Sequence, residues 1–366
     1  MSKYSIRNYN FLLAIAAIAL SVYGIFIIGS AKESVQSHQI QGLVLGVIVM
    51  IVISLIRYDL LLRLSWLYYV LAVGLLIMVE IAGESVNNAK RWIVIAGIQF
   101  QPSEAAKILL VLFFAWYLMQ HEEDLNTPRR LITIAILAGV PLVLIVKEPD
   151  LSTTIVTFLV IVALMFFAGL SYKIVAWALG IGIPTIAITL FLIANRGISF
   201  LDPYQMLRIL AWLRPDDYPE SSYQQQNSIM AIGSGQLLGK GLYNESADSV
   251  KNGNYISEPQ TDFIFAVAGE ELGFIGSLVI IILLFWIALE CMKVAKKARD
   301  LSGQLICVGI ASIIGFQGFV NICVVTGLFP NTGLPLPFVS YGLTSLVTLY
   351  AGIGFVLNVS LQAKKY

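Results

Sequence analysis

The chain has 366 residues, of which 58% are hydrophobic and only 12% charged, a balance that excludes an ordinary soluble domain and points to a membrane protein. Its net charge is +1, and Lys and Arg occur in small groups between apolar runs rather than as a basic stripe, so nucleic acid is not an expected partner. Cys291, Cys307 and Cys323 lack CxxC spacing, and only the distant His38 and His121 could join them; they read as small buried side chains rather than a metal site.

In chain order, apolar runs able to cross a bilayer, or nearly so, lie at about residues 10–29, 40–57, 65–82, 104–120, 131–147, 151–169, 172–194, 263–292, 303–327 and 340–361. They predict an all-α polytopic membrane protein of about ten transmembrane helices, with both ends on one side. Lys3, Arg7, Arg57, Arg63, Lys364 and Lys365 fall at the ends or in alternate loops, as do the cations of 293–299, so both termini are predicted to be cytoplasmic. The first span exceeds the apolar core of a typical secretory signal and is expected to be retained. Residues 1–366 read as a single transmembrane domain, and the one long polar connection, about 195–262, is predicted to be an extracytoplasmic loop between the seventh and eighth helices. Within it, "PYQMLRILAWL" (203–213) places Met206, Ile209, Leu210 and Leu213 at helical spacing with Arg208 elsewhere, the pattern of a helix lying in the membrane interface. A second apolar patch, "SIMAIGSGQLLGKG", ends in glycines.

Unusual polar residues gather at the outer ends of the spans. In "KRWIVIAGIQFQPSEAAK" (90–107), Ser103 can cap the fourth span and Glu104 suits its N-terminal dipole. Lys107 opposes that dipole, and at i, i+3 it can pair with Glu104 or serve a ligand. Arg91 beside Trp92 reads as an interfacial anchor able to reach phosphates. In "KEPDLST" (147–153), Pro149 and Asp150 are ordinary turn residues, and Ser152 or Thr153 can cap the next helix. In "EPQTDFIFAVAGEELGF" (258–274), Thr261 is a reasonable N-cap and Asp262 fits the first turn. Glu270 then lies roughly 80° around and 12 Å deeper, with Glu271 nearly opposite. The three acids cannot converge: Glu270 and Glu271 are expected to bond neighbouring helices or a backbone break, and Asp262 alone to face outer water. The prolines and glycines of "GLFPNTGLPLPFVSYG" (327–342) specify a fixed irregular loop, which at membrane depth lines a cavity or is buried in protein.

Together these stretches resemble the SEDS family (shape, elongation, division and sporulation), polytopic proteins of the bacterial cytoplasmic membrane that include RodA and FtsW. The likeness covers nearly the whole chain and rests on "RWI" with "FQPSEAAK", "PDLST", "AIGSGQLLGKG", "TDFIFAVAGEELG" and "GLPLPFVSYG", in family order. The "TGLPLPFVSYG" form and the brief termini are most similar to the RodA branch, with FtsW and sporulation relatives next. Where the family reads P-D-L-G-T, Gln-Ser and S-Y-G-G, this chain has Ser152, Asn227-Ser228 and Leu343, departures that remove no charged group.

The resemblance implies a peptidoglycan glycosyltransferase that polymerises lipid II at the outer membrane face during cell elongation, beside a class B penicillin-binding protein that crosslinks the strands. The essential acid of the family's T-D-F motif falls on Asp262, the R-W pair on Arg91 and Trp92, and the acid and lysine of P-S-E-x-x-K on Glu104 and Lys107. In the implied reaction, Asp262 takes the proton of an attacking sugar 4-hydroxyl and undecaprenyl pyrophosphate leaves. Arg91, Lys107 and Lys240 are expected to hold pyrophosphate charge, with Glu104 orienting Lys107. An α-linked donor and a β-linked product need one inverting displacement, hence one base. Asp150, Glu270, Glu271 and Ser340 are secondary or structural candidates. The sequence specifies no cofactor; a divalent cation, Mg or Mn, at the pyrophosphate is allowed, although no ligand set with metal spacing is visible. The competing readings are a lipid II flippase or other transporter and a scaffold for partner enzymes. Against transport, the polar groups gather at one face rather than the midplane, and no inverted repeat is apparent.

Overall fold

The computed structural model describes residues 8–86, 89–95, 98–196, 202–244, 249, 252–253 and 255–362. The first spans are α1 (Phe11–Ala31), α2 (Glu33–Leu55), a one-turn α3 (Tyr58–Leu62) and α4 (Ser65–Ala82). Strands β1 (Glu84–Val86), β2 (Ala89–Ile95) and β3 (Ile98–Phe100) follow, then α5 (Pro102–Gln120), α6 (Pro128–Lys147), α7 (Leu151–Phe167) and α8 (Tyr172–Arg196). Two helices outside the membrane spans, α9 (Pro203–Leu213) and α10 (Pro219–Ser234), precede α11 (Ile264–Lys296), α12 (Leu301–Val325) and α13 (Leu343–Leu361). Nine of the described helices are long and apolar enough to cross a membrane; the sixth of the ten expected spans coincides with α7, an apolar helix of 17 residues. The cations Lys3, Arg7, Lys364 and Lys365, used to orient the termini, lie outside the described residues.

Side-chain caps set several helix starts. Asn10, Thr127, Asp150 and Asp300 each accept a main-chain N–H of the first turn, and Pro102 and Pro128 open α5 and α6 where no N–H is needed. Asp150, rather than Ser152 or Thr153, therefore caps α7. Ser103 does not cap α5 either: the helix starts one residue earlier, and the Ser103 hydroxyl is buried without a partner among the described residues. Nor does Thr261 cap α11, which begins at Ile264; its hydroxyl donates to Glu258 O at 2.9 Å.

α5 and α12 form the buried centre, and small residues permit close approach of α2 to α13, where Gly42 and Gly46 face Leu343, Leu346 and Tyr350. α8 is buried only near its end, where Ile193 packs on Ile209 and Leu210 of α9. Three bonds gather the start of α1 and the ends of α2, α11 and α13 at one end of the bundle: Asn10 Nδ2 to Glu290 Oε2 at 2.9 Å, Tyr58 N to Asn358 Oδ1 at 3.0 Å, and Tyr58 Oη to Asp300 Oδ2 at 2.9 Å.

Two features depart from an all-helical bundle. The strands form an antiparallel meander in the order β1-β2-β3, with Glu84 opposite Trp92 and Ile93 opposite Phe100. α11 breaks at Gly273, whose φ of +66° no helix contains, and residues 235–241 insert against the break. Lys240 N and Gly241 N donate to Glu270 O and Glu271 O, both at 2.9 Å. Phe274 N and Ile275 N donate back to Gln236 O and Leu237 O at 2.8 and 3.2 Å. Thus the glycine-ended apolar patch of the long connection re-enters the bundle.

Candidate active site

The mouth of α11 is built by segments that meet at Gly333, in the irregular loop 327–342 between α12 and α13. Asn321 of α12, 1% exposed, donates through Nδ2 to Leu334 O at 2.6 Å and Asp262 O at 2.8 Å. Gln317, one turn earlier, donates to Pro335 O at 3.0 Å. Ser340 Oγ donates to Thr261 O at 2.7 Å, and Tyr341 N donates to Gln260 O at 2.9 Å. The loop and the start of α11 are thereby fixed to each other.

Gly333 has φ +73°, and a Cβ placed there would lie 3.0 Å from Asp262 Oδ2, 3.6 Å from Arg91 Nη1 and 3.8 Å from Arg208 Nη1. Three charges from three segments surround one point that carries no side chain. Arg91 comes from β2, whose alternation buries Arg91 and Ile93 while Val94 faces out. Its Nε donates to Glu148 O at 3.1 Å and its Nη2 to Pro149 O, leaving Nη1 toward Gly333. Arg208 comes from α9, its guanidinium 4.4 Å over the Tyr204 ring and bonded to that hydroxyl.

Asp262 is half-buried, and its carboxylate has no hydrogen-bond or ion-pair partner among the described residues. Burial pushes its pKa from 3.8 to about 6; Arg208 and Arg91 pull it down, while Asp150 and Glu258 push it up. Such a carboxylate, flanked by cations without being bonded to them, can accept a hydroxyl proton near neutral pH. Arg208 also lines a cavity of about 10 Å³ with Pro149, Leu151, Gln205 and Thr332, which has room for at most one water. Gln205 Nε2 and Thr332 Oγ1 are buried without partners among the described residues, so the wall has unused hydrogen-bonding capacity. Among the described residues, no group of three or more His, Cys, Asp or Glu is placed to hold a metal ion.

The model of the FtsW, RodA and SpoVE family, described as cell cycle proteins, matches residues 8–365. The chain belongs to the FtsW/RodA/SpoVE family. A probable peptidoglycan glycosyltransferase FtsW from Geobacter sulfurreducens is 32% identical over 379 residues, covering 98% of this chain and 97% of the relative. The corresponding protein of Wigglesworthia glossinidia brevipalpis is 32% identical over 378 residues, covering 98% and 95%. Among solved structures, Thermus thermophilus RodA is 26% identical with a TM-score of 0.71, covering 98% of both chains. A chain of a peptidoglycan synthase complex is 27% identical with a TM-score of 0.79, covering 96% of this chain and 97% of that one. The SEDS resemblance carried by the five motifs therefore holds over the whole fold.

In this FtsW/RodA/SpoVE protein, not every residue singled out by motif turns toward Asp262. Lys107 and Glu104 are each 2% exposed. Lys107 Nζ is 2.7 Å from Glu104 Oε1 and 2.6 Å from Gln317 Oε1, and Ser345 Oγ donates to Glu104 Oε2 at 3.2 Å. The ammonium is thus engaged inside the α5–α12–α13 core by Glu104 and Gln317, and the contact with pyrophosphate expected of it requires opening a buried pair, which is costly. Through Gln317 it supports the 327–342 loop instead. Lys240 is also engaged, 2.8 Å from Glu270 Oε1, about two turns deeper than Asp262. Glu271 Oε1 accepts from Ser30 Oγ of α1 at 2.8 Å. Trp92 is half-buried beside Arg91, and Asp150 accepts from Thr153 N at 3.0 Å and Gln101 Nε2 at 3.4 Å. Ser340 is a loop tie. Sequence reasoning missed Arg208, Asn321 and Glu148 as members of this neighbourhood. The signal for the first two was available, as a lone cation on an apolar interfacial helix and a lone amide within a span.

Proposed function

We propose that this chain polymerises lipid II into glycan strands at the outer face of the cytoplasmic membrane, with Asp262 as general base. The observation that carries the proposal is the unpartnered Asp262 carboxylate facing Arg91 and Arg208 across Gly333. In this reaction the 4-hydroxyl oxygen of one lipid II sugar bonds to the anomeric carbon of the lipid-linked strand. The anomeric carbon–oxygen bond to pyrophosphate breaks, its electron pair leaves with undecaprenyl pyrophosphate, and the hydroxyl proton passes to Asp262. One base and one displacement give inversion. Arg91 and Arg208 stabilise the charge that grows on the leaving group, the role expected earlier of Lys107 and Lys240. A class B penicillin-binding protein is the proposed crosslinking partner.

For the cellular branch, the "TGLPLPFVSYG" loop favours elongation, whereas relatives named FtsW favour division. Depletion in the source cell distinguishes them: rounding supports elongation and filamentation supports division. For the chemistry, the parent, Asp262→Asn and an Asp150→Asn control are purified, supplied with lipid II and a divalent cation, and resolved on a gel. Polymer from parent and control but not from Asp262→Asn is expected. Polymer from Asp262→Asn at the parent rate removes Asp262 as the base; no polymer from a folded parent with its partner, but movement of lipid II across vesicles, favours the transporter.

A further inference from the structure

Glu148 is a buried acid that the reaction above does not use. It follows the last residue of α6, is 1% exposed, and neither carboxylate oxygen has a hydrogen-bond partner among the described residues. Its main-chain carbonyl accepts from Arg91 Nε at 3.1 Å, and the next carbonyl, Pro149 O, accepts from Arg91 Nη2. The side chain therefore branches from the peptide that anchors the arginine. The charged groups that face it are Asp150 at the start of α7, Arg91 on β2 and Glu80 on α4, while neighbouring Lys147 on α6 is exposed. Two acids and one arginine, around a site that offers the carboxyl no hydrogen bond, disfavour a third negative charge.

We propose that Glu148 is a positioning residue held as a neutral carboxylic acid, so that the free edge of Arg91 stays turned toward Asp262 and the leaving pyrophosphate. When Glu148 loses its proton to solvent, its carboxylate becomes a competing ion-pair partner for the same guanidinium and draws it away from the substrate. Burial, with Asp150 and Glu80 acting in the same sense and Arg91 opposing, pushes the Glu148 pKa from 4.5 to about 9. The neutral form thus prevails at neutral pH, and alkaline conditions release the competitor.

The inference rests on the glycosyltransferase proposal, and two readouts separate its failure from failure of that proposal. The first is the rate of lipid II polymerisation against pH for the full chain and for Glu148→Gln, which is neutral at every pH. Above the parent's alkaline midpoint the ratio of variant to parent rate is expected to rise about tenfold per pH unit, as for a single deprotonation. A ratio that stays flat through the alkaline limb overturns the inference. The second is the infrared spectrum of the full chain in lipid nanodiscs at about pH 8, where Asp262 is ionised. A protonated-carboxyl band present in the parent and missing from Glu148→Gln is expected, and it fades as the parent is made more alkaline. A parent without the band at that pH overturns the inference whether or not the variant folds. A parent that shows the band but makes no polymer counts against the proposed function alone.

Discussion

Asp262 stands within reach of two guanidinium groups that leave its oxygens free, and this spacing governs how it titrates. Only the ionised carboxylate can take a proton, so polymerisation should rise as pH rises through about 6 and then hold until the alkaline fall proposed for Glu148. Asp262→Asn should lower the rate about 10²- to 10⁴-fold and abolish that rise. Stability carries the opposite sign. Between 3.8 and about 6 the folded chain keeps a proton that the unfolded chain has lost, so stability falls as pH rises across that window. Asp262→Asn should therefore melt higher than the parent at neutral pH, and a lower melting temperature would contradict the burial described for this carboxyl. Arg208→Ala should cost about 10²- to 10³-fold in polymerisation rate if Arg208 stabilises the leaving group. Gly333→Ala meets two obstacles, a left-handed φ of +73° and a Cβ 3.0 Å from Asp262 Oδ2. Its polymer yield should fall further than its melting temperature; parent-like yield would show that the point above Gly333 is not where substrate reacts.

At the scale of elements, α12 does more than cross the membrane, because Gln317 and Asn321 lie one turn apart and both grip the 327–342 loop. Asn321→Ala should destabilise the protein by about 1–3 kcal/mol, the cost of leaving buried carbonyls unpaired. Gly235→Ala should be worse tolerated, since its Cβ would lie 1.9 Å from Gly269 O; thermal melts compare the two directly. The long apolar helices were legible because runs of apolar residues need no tertiary context to be recognised, and α9 matched its expected 203–213 because its apolar spacing is local. The strands were not: β2 reads "AKRWIVI", and such a short apolar run looks the same as the approach to a span. α10 was missed for the opposite reason, since "PESSYQQQNSIMAIGS" is polar on most sides and is held by contacts to distant carbonyls, such as Gln225 Nε2 to Val324 O at 2.6 Å.

For the whole molecule, the proposed orientation can be tested because all three native cysteines are buried. Glu258 and Asn8 are exposed; a cysteine at Glu258 should react with an impermeant maleimide added to intact cells, and one at Asn8 only after the membrane is opened. The reverse pattern would invert the molecule. The site was half legible in the same global sense. Motif order pointed to Asp262 and Arg91, but Arg208, 54 positions before Asp262 in the chain, reaches the same point above Gly333 through a meeting that no local pattern encodes. For Lys107 the sequence shows a cation but not Gln317, which comes from 210 residues away to hold it. The segment inserted at Gly273 has a consequence at this scale too. It completes two carbonyls of α11 before the break and two amides after it, so it splices one helix dipole to the next and leaves neither pair bare. Withdrawing it would expose four main-chain groups, each at a cost of several kcal/mol in hydrocarbon. Rich as it is in glycine, the segment 235–241 is therefore held in place by the main chain of α11 rather than free to swing as a lid.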